Sequence, residues 1–178
     1  MVCLQHVFVV DAGVLFTGWL NRHPEGVFLT TDSILEEVVN APSRRRAGTF
    51  QSLDRLRAEA PDSRAMRDVS EAARRTGDYG VLSESDASLI ALALMKQREG
   101  FSVTVVSNDL ALLNTAVELG LQVIDPTGRF RRKITWEAKC PACGHEERKA
   151  PNDGLCPVCG TPMRRHAVRK RGHRNTER

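Results

Sequence analysis

The chemistry this sequence could do rests on four cysteines and a scattered set of acids. Cys140, Cys143, Cys156 and Cys159 stand in "CPACG" (140–144) and "CPVCG" (156–160), two C-x2-C pairs separated by twelve residues. Two residues between thiols let one tight turn present both sulfurs to a single ion, and Gly144 and Gly160 allow a left-handed residue directly after each pair. This is zinc-ribbon spacing, and four thiolates make a closed site that holds a fold rather than performs catalysis. The competing readings are a disulfide pair or a redox C-x-x-C. Against them, the N-terminus has no secretion signal and neither pair sits in a βαβ unit. His145 adjoins the first pair, but four sulfurs already fill the coordination sphere. Cys3 stands apart as a free thiol.

The acids are Asp11, which closes the apolar run "VFVVDAG"; Asp109, which follows "VTVVSN"; Asp86, in "LSESDASLIALAL"; and a glutamate of "TTDSILEEVVN". Asp86 lies three and four residues before Leu89 and Ile90, so it shares their inward face. Periodicity leaves Glu36 and Glu37 equivalent. Taken singly, each acid has a bland role: helix capping for Asp32, Asp86 and Asp109, a surface charge for Glu36. Taken together they imply a metal site. Carboxylates about 4 Å apart repel by roughly 4 kcal/mol at an effective dielectric of 20, and hard divalent cations such as Mg²⁺ or Mn²⁺ offset that.

To bring these acids together the chain needs strands that end side by side. Val7–Val10, Val27–Thr30, Ser102–Ser107 and Leu121–Ile124 have strand length and β-branched content. Gly13–Leu20, Ser33–Asn40, a segment around Ala65–Thr76, Asp86–Arg98 and Leu110–Leu119 have helical patterning, and Ser83 with Asp86 makes a capping-box pattern. Such alternation predicts an α/β fold, a mostly parallel sheet flanked by helices, with function at the carboxyl ends of its strands. Asp11 and Asp109 fall there, and Ala12 and Gly13 are expected to keep the approach open for a phosphate. Pro42–Asp62 has no clear pattern; its Arg44, Arg45 and Arg46 form either a solvated loop or an RNA contact. The expected division is a main α/β domain over 1–126, a linker over 127–138, the ribbon over 139–165 and a basic tail over 166–178.

Charge divides along the same line. Residues 1–128 hold 12 Lys/Arg against 17 Asp/Glu, whereas residues 129–178 hold 14 against 5. A C-terminal part that basic suits a polyanion, and Arg164, Arg165, Arg169, Lys170 and Arg171 are the expected nucleic-acid contacts. The alternative is a solvated tail that aids solubility. Trp19 and Trp136 are equally candidates for base stacking and for packing. No apolar stretch approaches the roughly 20 residues of a membrane span, and the expected location is cytoplasmic.

In order along the chain, "VVDAG", "TTDSILEEVV", "SESDASLIALAL" and "VVSNDLALLNTAVELGLQV" resemble the motif blocks of a PIN-domain nuclease. With "RRTGDYGVLSESD" and the following ribbon, the whole resembles the Nob family, the NIN-one-binding proteins. The resemblance implies a metal-dependent endoribonuclease that trims the 3′ end of small-subunit ribosomal RNA, with Mg²⁺ or Mn²⁺ at Asp11, Glu37, Asp86 and Asp109. It thereby selects Glu37 over Glu36. Ser107 then orients a carboxylate or a metal-bound water, and Asn108 stands where many Nob proteins have a further aspartate, which bears on the metal count. The implied partners are the precursor RNA, the pre-ribosomal particle and a KH-domain assembly factor, with no membrane. The other readings are a toxin-like PIN ribonuclease acting on other RNAs and a non-catalytic RNA-binding assembly factor.

Overall fold

In the computed structural model of the chain, the described residues are 5–148, 151 and 153–168. Cys3, His173 and the proposed contacts Arg169, Lys170 and Arg171 lie outside them.

Five short strands form the main sheet: β1 (His6–Val10), β2 (Phe28–Thr30), β3 (Leu56–Ala58), β4 (Ser102–Val106) and β5 (Gln122–Ile124). All neighbours pair in parallel, in the order β3-β2-β1-β4-β5. The central strands are apolar because helices cover both faces: Val7, Val9 and Val10 of β1 and Val103, Val105 and Val106 of β4 are no more than 4% exposed. The covering helices are α1 (Ala12–Leu15), α2 (Asp32–Glu37), α3 (Ala41–Ser52), α4 (Ser63–Thr76), α5 (Glu84–Arg98) and α6 (Leu110–Glu118). In α5 every residue from Leu89 to Leu94 is buried, so its middle lacks a polar face and runs through the interior. The strand order reverses between β1 and β4, and in sheets of this kind the crevice at that reversal, outside the carboxyl ends, is where ligands are held. Among the described residues no helix is long and apolar enough to cross a membrane.

The patternless stretch Pro42–Asp62 contains α3 and β3. Helix α3 is capped by Asn40, whose side chain accepts from the Ser43 N–H at 2.9 Å, with Pro42 in the first turn. It buries only Ser43, Ala47 and Phe50, too small and polar a stripe to stand out. Its arginines are neither a loose loop nor wholly free for RNA. Arg46 donates to the Leu15 and Thr17 carbonyls at 2.9 and 2.8 Å, and Arg44 to those of Val38 and Val39. The helix expected over Gly13–Leu20 is shorter, closing at Leu15 before a turn and a 3-10 segment at Leu20–Arg22.

A second sheet, antiparallel and ordered β7-β6-β8, is built from β6 (Thr135–Lys139), β7 (Glu146–Glu147) and β8 (Arg164–Val168). It thus draws Thr135–Ala138 from the stretch expected as linker and His166–Val168 from the expected tail. The sheet is latched to the core. Gly77 caps α4 in the left-handed region (φ 79), and a Cβ there would come within 2.5 Å of the Trp136 carbonyl oxygen. Next to it Asp78 is 1% exposed and accepts from Arg165 Nη2 at 2.7 Å and from Asn114 Nδ2. Asn114 also donates to the Ile134 carbonyl at 2.8 Å and accepts from its N–H at 2.7 Å. The Arg165 guanidinium lies 4.7 Å from the centre of the Trp136 ring.

Candidate active site

The parallel pairing of β1 with β4 sets Val10 opposite Val106, and the Asp11 N–H extends the ladder to the Val106 carbonyl at 3.1 Å. Asp11 and Ser107 therefore leave the sheet side by side. Asp11 occupies the cap position of α1 but makes no capping hydrogen bond; its Oδ2 accepts from Ser107 Oγ at 2.7 Å. The same hydroxyl accepts the Asp109 N–H at 2.9 Å, so one serine joins two of the acids. Asp109 caps α6, with Oδ1 accepting from the N–H groups of Ala111 and Leu112 at 2.7 and 2.9 Å.

Asp86 arrives from α5. Its Oδ2 accepts from the Ser83 hydroxyl at 2.6 Å and the Ser83 N–H at 3.2 Å, while Ser83 Oγ accepts the Asp86 N–H at 3.0 Å, the full capping box that the sequence pattern predicts. Glu37, the last residue of α2, accepts from Ser85 Oγ, which ties α2 to the first turn of α5.

Burial pushes the Asp11 carboxyl above its ordinary range, and repulsion from Asp86 and Glu37 adds to this against the Ser107 hydrogen bond. Asp86 is raised for the same leading reason, with Asp109 and Glu37 adding and the Ser83 bonds opposing. Asp86 thus acts on Asp11 and Asp109 on Asp86, and Glu37 rather than Glu36 is the glutamate that acts on both Asp11 and Asp86. Capping and clustering are not alternatives here. In Asp86 and Asp109 the hydrogen bonds fall on one carboxylate oxygen and leave the second without a protein donor among the described residues.

This donor set fits a hard divalent cation: oxygen ligands only, an excess of negative charge and a spare oxygen on two of the acids. The ring is open, in that no three of these carboxylates bring oxygens within 4.8 Å of one another. The carboxylates are therefore not packed about 4 Å apart as the sequence led one to expect. Gly13 does not leave an open approach. A Cβ there would meet Asn108 Oδ1 at 2.6 Å, so the missing side chain makes room for the Asn108 amide instead of a phosphate. His6 bonds Ser102 at the opposite, amino end of the sheet, and the His23 ring stacks 3.9 Å from that of Trp19, which is buried as a packing residue.

The four cysteines do converge. Sulfur–sulfur distances are 3.4 Å (Cys140–Cys159), 3.5 Å (Cys143–Cys159) and 3.6 Å (Cys143–Cys156), and none of the four is in a disulfide. Metal–sulfur bonds of about 2.3 Å in a tetrahedron set sulfurs about 3.8 Å apart, so the cluster is of the right size for one ion. The two knuckles repeat the same backbone plan. Gly144 N–H bonds the Cys140 carbonyl and Gly160 N–H that of Cys156, at 3.1 and 2.8 Å. Cys140 N–H bonds His145 O and Cys156 N–H bonds Thr161 O, at 2.8 and 2.9 Å. Both glycines have positive φ, 77° and 71°. Hydrogen bonding with Thr161 lowers the Cys159 thiol, whereas, against the His145 N–H, burial and the three neighbouring thiols raise that of Cys143, so the four sulfurs share protons as a group. The His145 ring is turned to Glu147 at 3.1 Å, away from the sulfurs.

The profile of the family described as "PIN domain of ribonuclease" matches residues 8–95. Endoribonuclease Nob1 of Pyrococcus abyssi is 32% identical over 161 residues, covering 90% of this chain and 94% of that one. The chain belongs to the Nob family of PIN-domain endoribonucleases. Ribonuclease VapC3 of Aeropyrum pernix is 37% identical over 120 residues, 67% of this chain and 86% of that one. The likeness to VapC3 thus has about the length of a nuclease domain alone, whereas that to Nob1 extends through most of the chain. The Saccharomyces cerevisiae protein called 20S-pre-rRNA D-site endonuclease is 37% identical over 65 residues, 36% of this chain and 14% of its own length.

Among Nob residues that sequence reasoning passed over, Ser85, Asp78 and Asn114 matter most. Ser85 sits in the quoted "SESD" block, but its bond to Glu37 depends on how α2 and α5 cross. Asp78 follows a glycine after a helix, the mark of a cap, and only the docked ribbon shows that it is an ion-pair partner. Of the two expected contacts within the described residues, Arg164 is exposed and Arg165 is drawn into the latch.

Proposed function

We propose that this Nob-family endoribonuclease matures the 3′ end of small-subunit ribosomal RNA within a pre-ribosomal particle, using Mg²⁺ or Mn²⁺ at Asp11, Glu37, Asp86 and Asp109 and structural Zn²⁺ at Cys140, Cys143, Cys156 and Cys159. The observation that carries this reading is the ribbon latched to the nuclease core through Asp78, Arg165 and Asn114. A ribonuclease that acts as a bare PIN domain has no use for such a latch. The printed name of the yeast relative, a pre-rRNA D-site endonuclease, points to the same substrate. A KH-domain assembly factor is the expected partner on the particle, and the cytoplasm the expected location.

When bound, a divalent ion supplies Lewis-acid charge at the scissile phosphate and a nucleophile at neutral pH. The chain's own residues do the rest. Ser107 fixes Asp11 and Asp109 relative to each other, and the Ser83 and Ser85 hydroxyls do so for Asp86 and Glu37. Among the described residues, His6 and His23 lie at the other end of the sheet and His145 and His166 belong to the ribbon. The expected products carry a 5′-phosphate and a 3′-hydroxyl.

Cleavage of a small-subunit precursor RNA with Mn²⁺ or Mg²⁺ tests the reading. The wild type should cut near the mature 3′ end and Asp11→Asn should not. Inactivity of the wild type with both ions, with RNA binding retained, would favour the non-catalytic assembly factor. Cutting by Asp11→Asn would remove the acidic-site assignment.

A further inference from the structure

A cleft of about 480 Å³ begins at Leu110, the residue after Asp109, and lies between the first turns of α6, the segment 129–134 and the ribbon. Its apolar lining includes Leu110, Phe130, Ile134 and Trp136, and its rim carries Arg129, Arg131 and Arg132. Leu110 follows Asp109 directly and leaves 45% of its surface exposed. Arg129 anchors the rim to the catalytic edge: its Nη2 donates to the Asn108 carbonyl at 3.0 Å, and its Nε to Thr127 Oγ1 at 3.0 Å. Asp78 and Asn114 at the back of the cleft already satisfy each other, with Arg165 on the second Asp78 oxygen.

Arg131 and Arg132 are exposed and, among the described residues, neither is in an ion pair, whereas the neighbouring Lys133 is paired with Glu118. An apolar floor with an aromatic ring and unneutralised guanidinium groups at its rim is the combination that seats a nucleobase and its flanking phosphates. An acidic peptide would use the guanidinium groups and leave the floor without a partner. We propose that this cleft is a subsite for single-stranded RNA, seating the nucleotide that flanks the scissile phosphate on the ribbon side. The inference rests on the ribonuclease reading of the acids and assigns the path the strand takes on leaving them. The segment 129–134 is then a binding element of the enzyme as well as a connection between its two sheets.

The test uses the full chain without added Mg²⁺ or Mn²⁺ and a mixed-sequence 12-nucleotide single-stranded RNA whose integrity is checked after each titration. Replacing both arginines, Arg131→Gln with Arg132→Gln, removes two phosphate contacts, so the slope of log K against log salt should fall by about 1.4 and affinity at 0.1 M salt by roughly 20-fold. Arg22→Gln, an exposed arginine beside His6 at the opposite end of the sheet, should leave both unchanged. RNA should quench the half-buried Trp136, since Trp19 is shielded in the core. An unchanged slope in the double variant, or RNA binding that leaves Trp136 emission unaltered, would overturn the subsite. So would polyglutamate competing with the RNA with the same arginine dependence, because the cleft would then be a seat for an acidic protein. Cleavage of precursor RNA separates this from the reading beneath it. A wild type that binds as described but never cuts removes the ribonuclease reading and keeps the cleft, whereas a double variant that cuts with unaltered KM removes the cleft alone.

Discussion

Replacing Arg165 by Met should loosen the ribbon from the core by a measurable amount. The change leaves Asp78, whose side chain is 2% exposed, with Asn114 as its remaining side-chain donor and removes a bond of 2.7 Å. Breaking a fully buried pair from one side costs about 3–5 kcal/mol. Arg165 itself keeps 36% of its side-chain surface in solvent, so screening reduces the expected loss to about 2 kcal/mol. For a chain of this size that corresponds to roughly 4–8 °C in Tm. Asp78→Asn should cost a similar amount, and the double variant clearly less than the sum, because neither partner is then left charged and alone. Urea unfolding followed by tryptophan fluorescence measures all four corners of the cycle, with Trp136 reporting on the ribbon side. A coupling of about 1–2 kcal/mol supports the latch. Additivity to within about 0.5 kcal/mol would refute it, and with it the argument that the ribbon is held on the core by this pair.

Three other perturbations probe the remaining sites. Cys140→Ser should release one tightly held Zn²⁺ per chain and unfold the ribbon strands while the core sheet persists; metal analysis with circular dichroism checks this, and a zinc-free chain with an intact ribbon contradicts it. Ser107→Ala removes the hydrogen bond that lowers the Asp11 pKa, so the acidic limb of the cleavage pH profile should move to higher pH. In the metal-free protein Asp11 and Asp86 both have raised pKa values, so the folded state binds more protons than the unfolded one; their contribution to stability is fully present below the ordinary value of 3.8 and is lost as pH rises through the raised values. Melting curves across that window should show this loss in the wild type and less of it in Asp11→Asn.

Much of this architecture is written in local patterns. The runs ending in Asp11 and Ser107 are apolar enough, and short enough, to indicate buried parallel strands, and "SESD" carries its capping box in four residues. Each of these depends on neighbours in sequence. Helix α3 and strand β3 escape because a stripe of Ser43, Ala47 and Phe50 and a three-residue edge strand carry too little periodic signal, and tertiary contacts through Arg46 supply what propensity does not. The site divides the same way. Asp11 and Asp109 follow from the strand ends, but the choice between Glu36 and Glu37 depends on Ser85, which is 48 residues away. Asp78 and Arg165 are 87 residues apart, and no spacing rule connects them.

The opposed charges of the two halves have a functional logic once the fold joins them. An acidic ring repels the phosphate backbone it must handle, so without its cations the core alone is a poor seat for RNA. The basic counterweight lies in another sheet and gains from being held at a fixed place, since a tethered charge at a variable distance is screened within about 10 Å at ordinary ionic strength. Two contacts hold it there: Asp78 with Arg165 on the far side of the cleft, and Asn108 with Arg129 on the side of the acids. Asn108 suits this arrangement in a way a carboxylate would not. Its side chain fills the space left by Gly13 without adding charge next to Asp11, which burial already makes hard to ionise. Asn108 thus touches both sides, its side chain packing at Gly13 beside the acids and its main-chain carbonyl holding Arg129 at the basic cleft.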